Sequence, residues 1–300
     1  MSEQQRFALG LIENGFWIPT GVRGVFGRTE AFESVVNGID NMVVDIANQQ
    51  DAEKIYFPPV VDREIIRRTS YMESFPELCG SIHSFRTTRA SHEKIVERAE
   101  QGGDWGEFLE QMPLTLCPAA CYPVYPTCTG ILSEGGRLFN LSSYVFRAEP
   151  SEDPARLQCF RMRENVRVAD TASVRAWREV WMSRAVELLS RLGLRVALEA
   201  ASDPFFGRGG RLLAANQLAD AAKYEIMVAI TSESEPTAIA SFNLHGQKFS
   251  QIFDIRLPDG EFAHTACIGF GLERTSLALI KTHGFDLARW PATVRQALCL

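Results

Sequence analysis

The sequence lacks the local patterns that mark several common classes of protein. No run of 18 apolar residues occurs, so we expect no transmembrane helix. The opening stretch MSEQQRFALGLIENGFW has no basic segment followed by an apolar core, so we expect no secretory signal. Basic residues are not in excess, because 31 Lys and Arg face 37 Asp and Glu. The resulting net charge of −6 disfavours a general nucleic-acid binder.

The spacing of the cysteines excludes one common kind of metal site. The chain has seven cysteines but no CxxC pair, so a zinc finger is not expected. An odd count without a secretory signal favours the reducing cytoplasm as the location. Scattered cysteines can still form an open metal site with three protein ligands. The seven are Cys79, Cys117, Cys121, Cys128, Cys159, Cys267 and Cys299.

Short strand-like segments follow one another through short turns, a pattern that favours an antiparallel sheet flanked by helices. We therefore predict an α+β fold. No linker, internal repeat or low-complexity tract is visible, so we treat 1–300 as a single domain. Helical spacing predicts helices after Thr29 and over 173–192 and 272–282, and a polar helix over 92–112. Strands are predicted over 55–57, 138–149, 156–168, 194–199, 223–230, 238–243, 249–257 and 264–268.

The stretch from 146 to 168 is predicted to be a hairpin with an unusual polar face. Arg147 and Glu149 lie two residues apart, and Arg156, Phe160 and Glu164 share one parity, so period-2 geometry predicts a common side. Two arginines, two carboxylates and an aromatic ring make a poor core but a suitable floor for a nucleotide. A surface hairpin with salt bridges is the alternative.

A second pattern, TACIGFGLERTSLAL, joins a predicted strand to a helix through Gly269 and Gly271. It places Arg274 in the first turn of the helix, where helix N-termini attract anions and arginine adds a contact to phosphate. A simple turn with a surface arginine is the alternative. The glycine-rich segment DPFFGRGGRLLAAN lacks the GK[ST] ending of a phosphate loop, so we interpret it as a turn.

Taken together, FRAE (146–149), RLQCF (156–160) and GFGLER (269–274) resemble motifs 2 and 3 of the class II aminoacyl-tRNA synthetases. The resemblance implies that Arg147 contacts the α-phosphate of ATP and that Glu149 lies on the adenine side. It further implies that Arg156 holds the γ-phosphate and that Phe160 stacks on adenine. Arg274 closes over the nucleotide from the other side.

Leu157 belongs to the same segment, and we include it in the expected ATP-binding set. YFPPVV (56–61) is similar to the end of motif 1, which implies a homodimer. AAKYEI (221–226) and SFNLH (241–245) look like strands of seryl-tRNA synthetases. The long N-terminal helical arm that holds tRNA in those enzymes has no counterpart here, so no tRNA partner is expected.

A narrower family, the amino acid:[carrier protein] ligases, fits these features better. Its members are truncated relatives of the zinc-containing archaeal seryl-tRNA synthetases. The segment 116–121 occupies the place of the loop that recognises serine, and its acidic residue is absent. In this family two cysteines and one glutamate hold a zinc ion that binds the substrate amino group.

The matching zinc ligands are expected to be Cys128, Glu164 and Cys267, with Glu164 facing the substrate amino acid. Cys117 and Cys121 are the main rivals as ligands. The alternative for the two lone cysteines is that they are small core residues. Cys79, Cys159 and Cys299 are interpreted as structural or incidental.

The resemblance implies ATP-dependent activation of glycine or alanine to an aminoacyl-adenylate, with Arg147 and Arg274 as catalytic residues. The aminoacyl group would then pass to the phosphopantetheine thiol of a carrier protein. Magnesium is expected with ATP. The metal-binding glutamate of common seryl-tRNA synthetases would fall near Thr237 in this sequence, and Glu235 is close but out of register, so we name no protein ligand for magnesium. The alternatives are a minimal seryl-type tRNA synthetase and a non-catalytic regulatory paralogue.

Carrier proteins are acidic, so arginines on the predicted helix 173–192 are candidate contacts for one. The candidates are Arg175, Arg178, Arg184 and Arg191, together with Arg86 and Arg89.

Overall fold

The computed structural model describes residues 1–86, 88–205 and 210–300; the side chains at 89–91 and 213 are outside this description. The α-helices in these ranges are Glu3–Glu13 (α1), Glu30–Asn48 (α2), Arg63–Arg68 (α3), Tyr71–Ser74 (α4), Arg89–Glu100 (α5), Thr171–Arg191 (α6), Gly210–Ala219 (α7), Lys248–Phe253 (α8), Leu272–His283 (α9) and Ala292–Leu298 (α10). Short 3₁₀ turns cover Pro76–Leu78, Gly106–Phe108, Tyr125–Cys128 and Leu287–Arg289.

The strands in the same ranges are Trp17–Pro19 (β1), Phe26–Arg28 (β2), Glu53–Lys54 (β3), Val60–Asp62 (β4), Ser81–Phe85 (β5), Leu109–Leu116 (β6), Gly130–Ile131 (β7), Arg137–Phe146 (β8), Cys159–Ala169 (β9), Ala197–Ala200 (β10), Lys223–Val228 (β11), Thr237–Gly246 (β12), Ile255–Arg256 (β13) and His264–Gly271 (β14).

A seven-stranded sheet dominates the fold, in the order β10-β11-β12-β14-β9-β8-β3. Its neighbours are antiparallel, except that the short β3 runs parallel to β8. A three-stranded sheet, β4-β6-β5, and the small pairs β1-β2 and β13-β7 lie outside it. Helices and a mainly antiparallel sheet confirm the α+β prediction.

One face of the large sheet is covered by α2, α6 and α9. Helix α6 starts at an N-cap, Asp170, whose carboxylate accepts from the Ser173 backbone N–H at 2.9 Å. Its apolar stripe includes the fully buried Trp181, whose ring lies against Phe270 of β14. The helix ends before Gly193, which has a φ of +82° that glycine adopts without strain. The predicted helix 173–192 is confirmed.

The opposite face of the sheet forms the floor of a cleft. Because side chains alternate along a strand, Cys267, Gly269 and Gly271 point away from the side on which Phe270 meets α6. By the same alternation Phe160, Met162 and Glu164 of β9 point into the cleft, which they help to line. Because helices cover one face of the sheet, the functional side chains can lie on the other face, in the cleft.

Several element predictions were wrong in detail. The strands of the hairpin end at Phe146 and restart at Cys159, so Arg147, Glu149 and Arg156 lie in the connection between them. No strand occupies 55–57. Most of 249–257 is helix α8, and the polar helix stops at Glu100, after which 109–116 forms β6. Strand β14 continues through Gly271 instead of breaking at Gly269.

The glycine-rich segment lies partly outside the described residues, at 206–209, and α7 begins directly after it. No helix in the described ranges is both long and apolar enough to cross a membrane.

Candidate active site

A cleft of about 1080 Å³ opens on the free face of the large sheet. Two cross-strand rows of residues form its floor. One row carries Glu164, Gly269, Ser241 and Glu225 on four adjacent strands, and the next row carries Cys267, Asn243 and Lys223. Residues far apart in sequence therefore meet through sheet register alone.

One end of the cleft gathers positive charge around an aromatic ring. The guanidinium carbons of Arg147 and Arg274 lie 5.6 and 5.9 Å from the centre of the Phe160 ring. Arg147 is anchored by a hydrogen bond from Nε to the Pro118 carbonyl at 3.2 Å. Arg274 donates from Nε to the Ala155 carbonyl at 2.7 Å. Arg274 also donates from Nη1 to the Ala238 carbonyl at 3.2 Å, so both guanidinium groups are held in place beside the ring.

Electrostatics support an anion site at this end. Burial, and then the nearby charges of Arg147 and Arg156, lower the pKa of Arg274 to about 10. The guanidinium stays protonated at neutral pH, so like charges are held close together without full compensation. A phosphate group would relieve this repulsion.

The structure brings five of the six predicted ATP-binding residues to this cleft. Glu149 and Arg156 line it and face each other at 3.9 Å, with the Arg156 side chain 55% exposed. Leu157 does not belong with them. Its side chain is 5% exposed and packs in the hydrophobic core, whereas that of Arg156 is mostly exposed. We remove Leu157 from the set.

The other end of the cleft holds a compact group of metal-ligand atoms. One donor atom each from Cys121, Glu164 and Cys267 lies within 4.8 Å of the other two, and all three residues are buried. The Glu164 carboxylate accepts from the backbone N–H groups of Ala120 and Cys121 at 2.9 and 3.1 Å. These bonds fix the carboxylate and the loop that carries Cys121.

The chemistry of this donor set fits a soft divalent cation. A hydrogen bond from Cys121, aided by His245 and Asn243, lowers the pKa of the Cys267 thiol. Burial, and then the charge of Cys267, raise the pKa of Glu164 to about 8. The raised pKa of Glu164 shows that it is unfavourable to charge the carboxylate and the Cys267 thiolate together, and a bound cation would remove this penalty. Two thiolates and a carboxylate are zinc ligands that leave a coordination position open.

Cys128 is corrected as a candidate ligand. Its Sγ lies 3.9 Å from Arg137 and donates to the Val124 carbonyl at 3.8 Å, within the 3₁₀ turn Tyr125–Cys128. That turn directs Cys128 toward the start of β8 and out of the residues that line the cleft. Cys121, one of the two rivals, takes its place beside Glu164 and Cys267. The other rival, Cys117, donates to the Ala119 carbonyl at 3.0 Å and is outside the group.

A charge network on the cleft wall, around the buried Lys223, was not predicted. Lys223 is paired with Asp203 and, at 2.9 Å, with Glu225, and Gln217 donates to Asp203 at 2.9 Å. The alternation of Lys223, Glu225 and Met227 along β11 is the one signal that could have placed them on a common face.

The arginines of α6 that were predicted to contact a carrier protein differ in exposure. Arg178 is 3% exposed and donates to the Ala221 carbonyl at 2.7 Å, so it supports the core. Arg184 is half-buried, whereas Arg175 and Arg191 are exposed. Arg86 is an exposed residue, and the side chain of Arg89 lies outside the described residues.

Comparison with solved structures identifies the fold. The M. kandleri SerRS, solved in complex with A. aeolicus tRNASec, superposes with a TM-score of 0.83 at 20% identity, covering 97% of this chain and 60% of that one. The prolyl-tRNA synthetase of Cryptosporidium parvum gives a TM-score of 0.69 at 16% identity over 93% of this chain and 52% of that one. The fold is that of the class II aminoacyl-tRNA synthetases.

Sequence comparison narrows this class to one family. Amino acid--[acyl-carrier-protein] ligases 1 and 2 of Bradyrhizobium diazoefficiens are each 40% identical over 282 residues, which is 93% of this chain and 86% and 84% of theirs. The type-2 serine--tRNA ligase of Methanopyrus kandleri is 23% identical, and the match covers only 53% of its length. No protein-family model matches the chain. The chain belongs to the amino acid–[acyl-carrier-protein] ligase family.

Proposed function

We propose that the chain activates a small amino acid, glycine or alanine, with ATP and transfers it to the phosphopantetheine thiol of an acyl-carrier protein. The observation that carries this proposal is the 40% identity to two ligases of that name over 93% of the chain. The cleft is consistent with it, since one sheet face holds both a cationic end and a metal-ligand end.

In the first step the amino acid carboxylate attacks the α-phosphate and pyrophosphate leaves. The guanidinium groups of Arg147 and Arg274 lie 5.6 and 5.9 Å from the Phe160 ring centre, so they can together hold the charge that develops on the transferring group. Phe160 offers its ring to adenine. We propose that Arg156, whose side chain is exposed at the rim, holds the outer phosphates and that magnesium accompanies ATP.

Zinc is proposed to be held by Cys121, Glu164 and Cys267, where it would bind the substrate amino group. The chain's own contribution is rigidity. Glu164 is fixed by the backbone N–H groups of Ala120 and Cys121, and Asn243 donates to the Cys267 sulfur at 3.5 Å. Such outer contacts orient metal ligands before the metal arrives.

In the second step the carrier thiol attacks the carbonyl carbon of the adenylate. A thioester forms, the bond to phosphate breaks and AMP leaves. No residue of the chain needs to form a covalent bond with the substrate, so the protein acts by holding both substrates in one cleft. We also propose a homodimer, from the motif 1 resemblance of 56–61, which light scattering would test.

The activity is tested by amino-acid-dependent exchange of pyrophosphate into ATP with a panel of amino acids. Exchange with glycine or alanine, and none without an amino acid, is the expected result. Transfer is then measured with labelled amino acid offered to a phosphopantetheinylated carrier and, separately, to tRNA. Absence of exchange with every amino acid in the presence of zinc would refute the proposal.

The metal site is tested by elemental analysis of purified variants. We expect Cys121→Ala and Cys267→Ala to lose zinc, whereas the matched control Cys128→Ala keeps it because its sulfur faces Arg137. Zinc content unchanged in the first two variants would contradict the assignment, and loss in the control would restore Cys128 as a ligand.

A further inference from the structure

Met162 lies between the two ends of the cleft. On β9 it lies two residues after Phe160, at the cationic end, and two before Glu164, at the metal-ligand end, and all three side chains line the cleft. Its sulfur is 3.9 Å from the Arg147 guanidinium. The side chain is therefore in contact with a group proposed to hold the α-phosphate, and it is one strand repeat from a proposed metal ligand.

The methyl end of Met162 reaches across to the neighbouring strand. A Cβ atom added at Gly269 would lie 2.9 Å from Met162 Cε and 3.6 Å from Glu164 Cγ. The glycine thus leaves a space above β14 that the methionine side chain occupies beside Glu164. Met162 therefore contacts Arg147 with its sulfur and has its methyl group over Gly269, the residue that pairs with Glu164 across the strands.

The proposed chemistry fixes where a substrate must lie relative to this floor. If the amino group is held at Cys121, Glu164 and Cys267 and the carboxylate reacts beside Arg147, the single carbon between them passes over Met162. Anything attached to that carbon and directed at the floor meets the thioether. This step rests on the proposed function.

We propose that Met162 is a specificity-determining residue that limits the size of the substrate side chain. A methionine is suited to the task because it is unbranched and fills irregular space closely. An apolar pocket that gains room for one methylene changes discrimination by about 10- to 200-fold. Met162→Ala removes Cγ, Sδ and Cε, so it opens room for at least one methyl group.

The test compares glycine, alanine, 2-aminobutyrate and valine in pyrophosphate exchange. We expect Met162→Ala to raise kcat/KM for 2-aminobutyrate relative to glycine at least about tenfold. Met162→Phe introduces a larger side chain, so it should lower kcat/KM for alanine relative to glycine. The matched control is Met227→Ala, which removes the same atoms from the cleft wall on β11, away from the line between Arg147 and Glu164. It should leave the ratios unchanged.

Binding gives a second readout that does not depend on turnover. Non-hydrolysable sulfamoyl analogues of the four adenylates are titrated calorimetrically into each protein. The ratios of their dissociation constants should follow the same order as the ratios of kcat/KM. Unchanged ratios in both Met162 variants, with zinc content and melting temperature retained, would overturn the inference. If Met162→Ala does not fold, Met162→Phe alone decides. Wild-type protein inactive with all four amino acids would instead count against the proposed function.

Discussion

The fully buried carboxylate of Glu273 offers a sharp test of how the site is supported. It lies next to Arg274 at the start of α9, and its side chain is 0% exposed. It accepts from Arg28 at 2.7 Å and from Arg161 Nε at 2.8 Å, while its second oxygen accepts from the Arg161 backbone N–H at 2.7 Å. Glu33 closes the network from α2 by binding both arginines.

Every group that meets Glu273 is a hydrogen-bond donor. In Glu273→Gln the amide NH₂ must face a donor in either orientation, and two guanidinium groups lose their buried counter-charge. Removing one partner of a buried ion pair costs about 3–5 kcal/mol. Because the Arg28 and Arg161 side chains keep 15% and 16% exposure, water relieves part of the loss. We expect a decrease of about 3 kcal/mol in the free energy of unfolding.

The measurement is urea unfolding of Glu273→Gln beside the control Glu33→Gln. Glu33 binds the same two arginines, but its side chain is 29% exposed, so we expect the control to lose only about 1 kcal/mol. The KM for ATP should also rise in Glu273→Gln, because the adjacent Arg274 loses a fixed neighbour. The reasoning is refuted if Glu273→Gln costs no more than the control.

Three further predictions concern separate parts of the molecule. Gly38→Ala should cost about 1–3 kcal/mol in urea unfolding, since its Cβ would lie 2.5 Å from the Leu298 carbonyl oxygen and backbone must move; an unchanged midpoint would contradict this. Burial raises the pKa of Asp203, but the Lys223 ammonium outweighs burial and holds it below 3.8. Its contribution to stability is present above the unfolded pKa and is lost as pH falls through the lower folded value. The melting temperature should therefore fall more steeply below about pH 4 in the wild type than in Asp203→Asn. Parallel curves of melting temperature against pH would refute the pairing. Arg156→Ala should raise the KM for ATP without lowering the melting temperature, because the side chain is 55% exposed.

Periodicity in the sequence predicted the long elements well. Helix α2 begins directly after Thr29, as predicted, although the Thr29 hydroxyl caps no backbone N–H of the helix and donates to the Gly15 carbonyl instead. The parity of Phe160 and Glu164 correctly placed both on the cleft side, because alternation follows from strand geometry alone.

The failures come from tertiary context that no local pattern contains. The apolar segment 249–257 is too short for its period to separate helix from strand, and it became α8. Whether Cys121 or Cys128 joins Glu164 depends on how the turn after Cys121 is folded, and spacing along the chain does not report that. The pair of Lys223 with Asp203 was missed because it depends on how the chain continues after β10, which pairs with β11 in the sheet.

The position of β14 in the sheet has a consequence for synthesis. It is the last strand of the large sheet to be made, yet it lies in the middle, between β9 and β12. A nascent chain stopped before His264 would hold two unpaired strand edges facing an open gap, the arrangement most exposed to wrong pairing with other chains. It would also lack Cys267, Gly269 and Arg274. We therefore expect closure of the sheet and assembly of the candidate site to occur together, late in the synthesis of the protein.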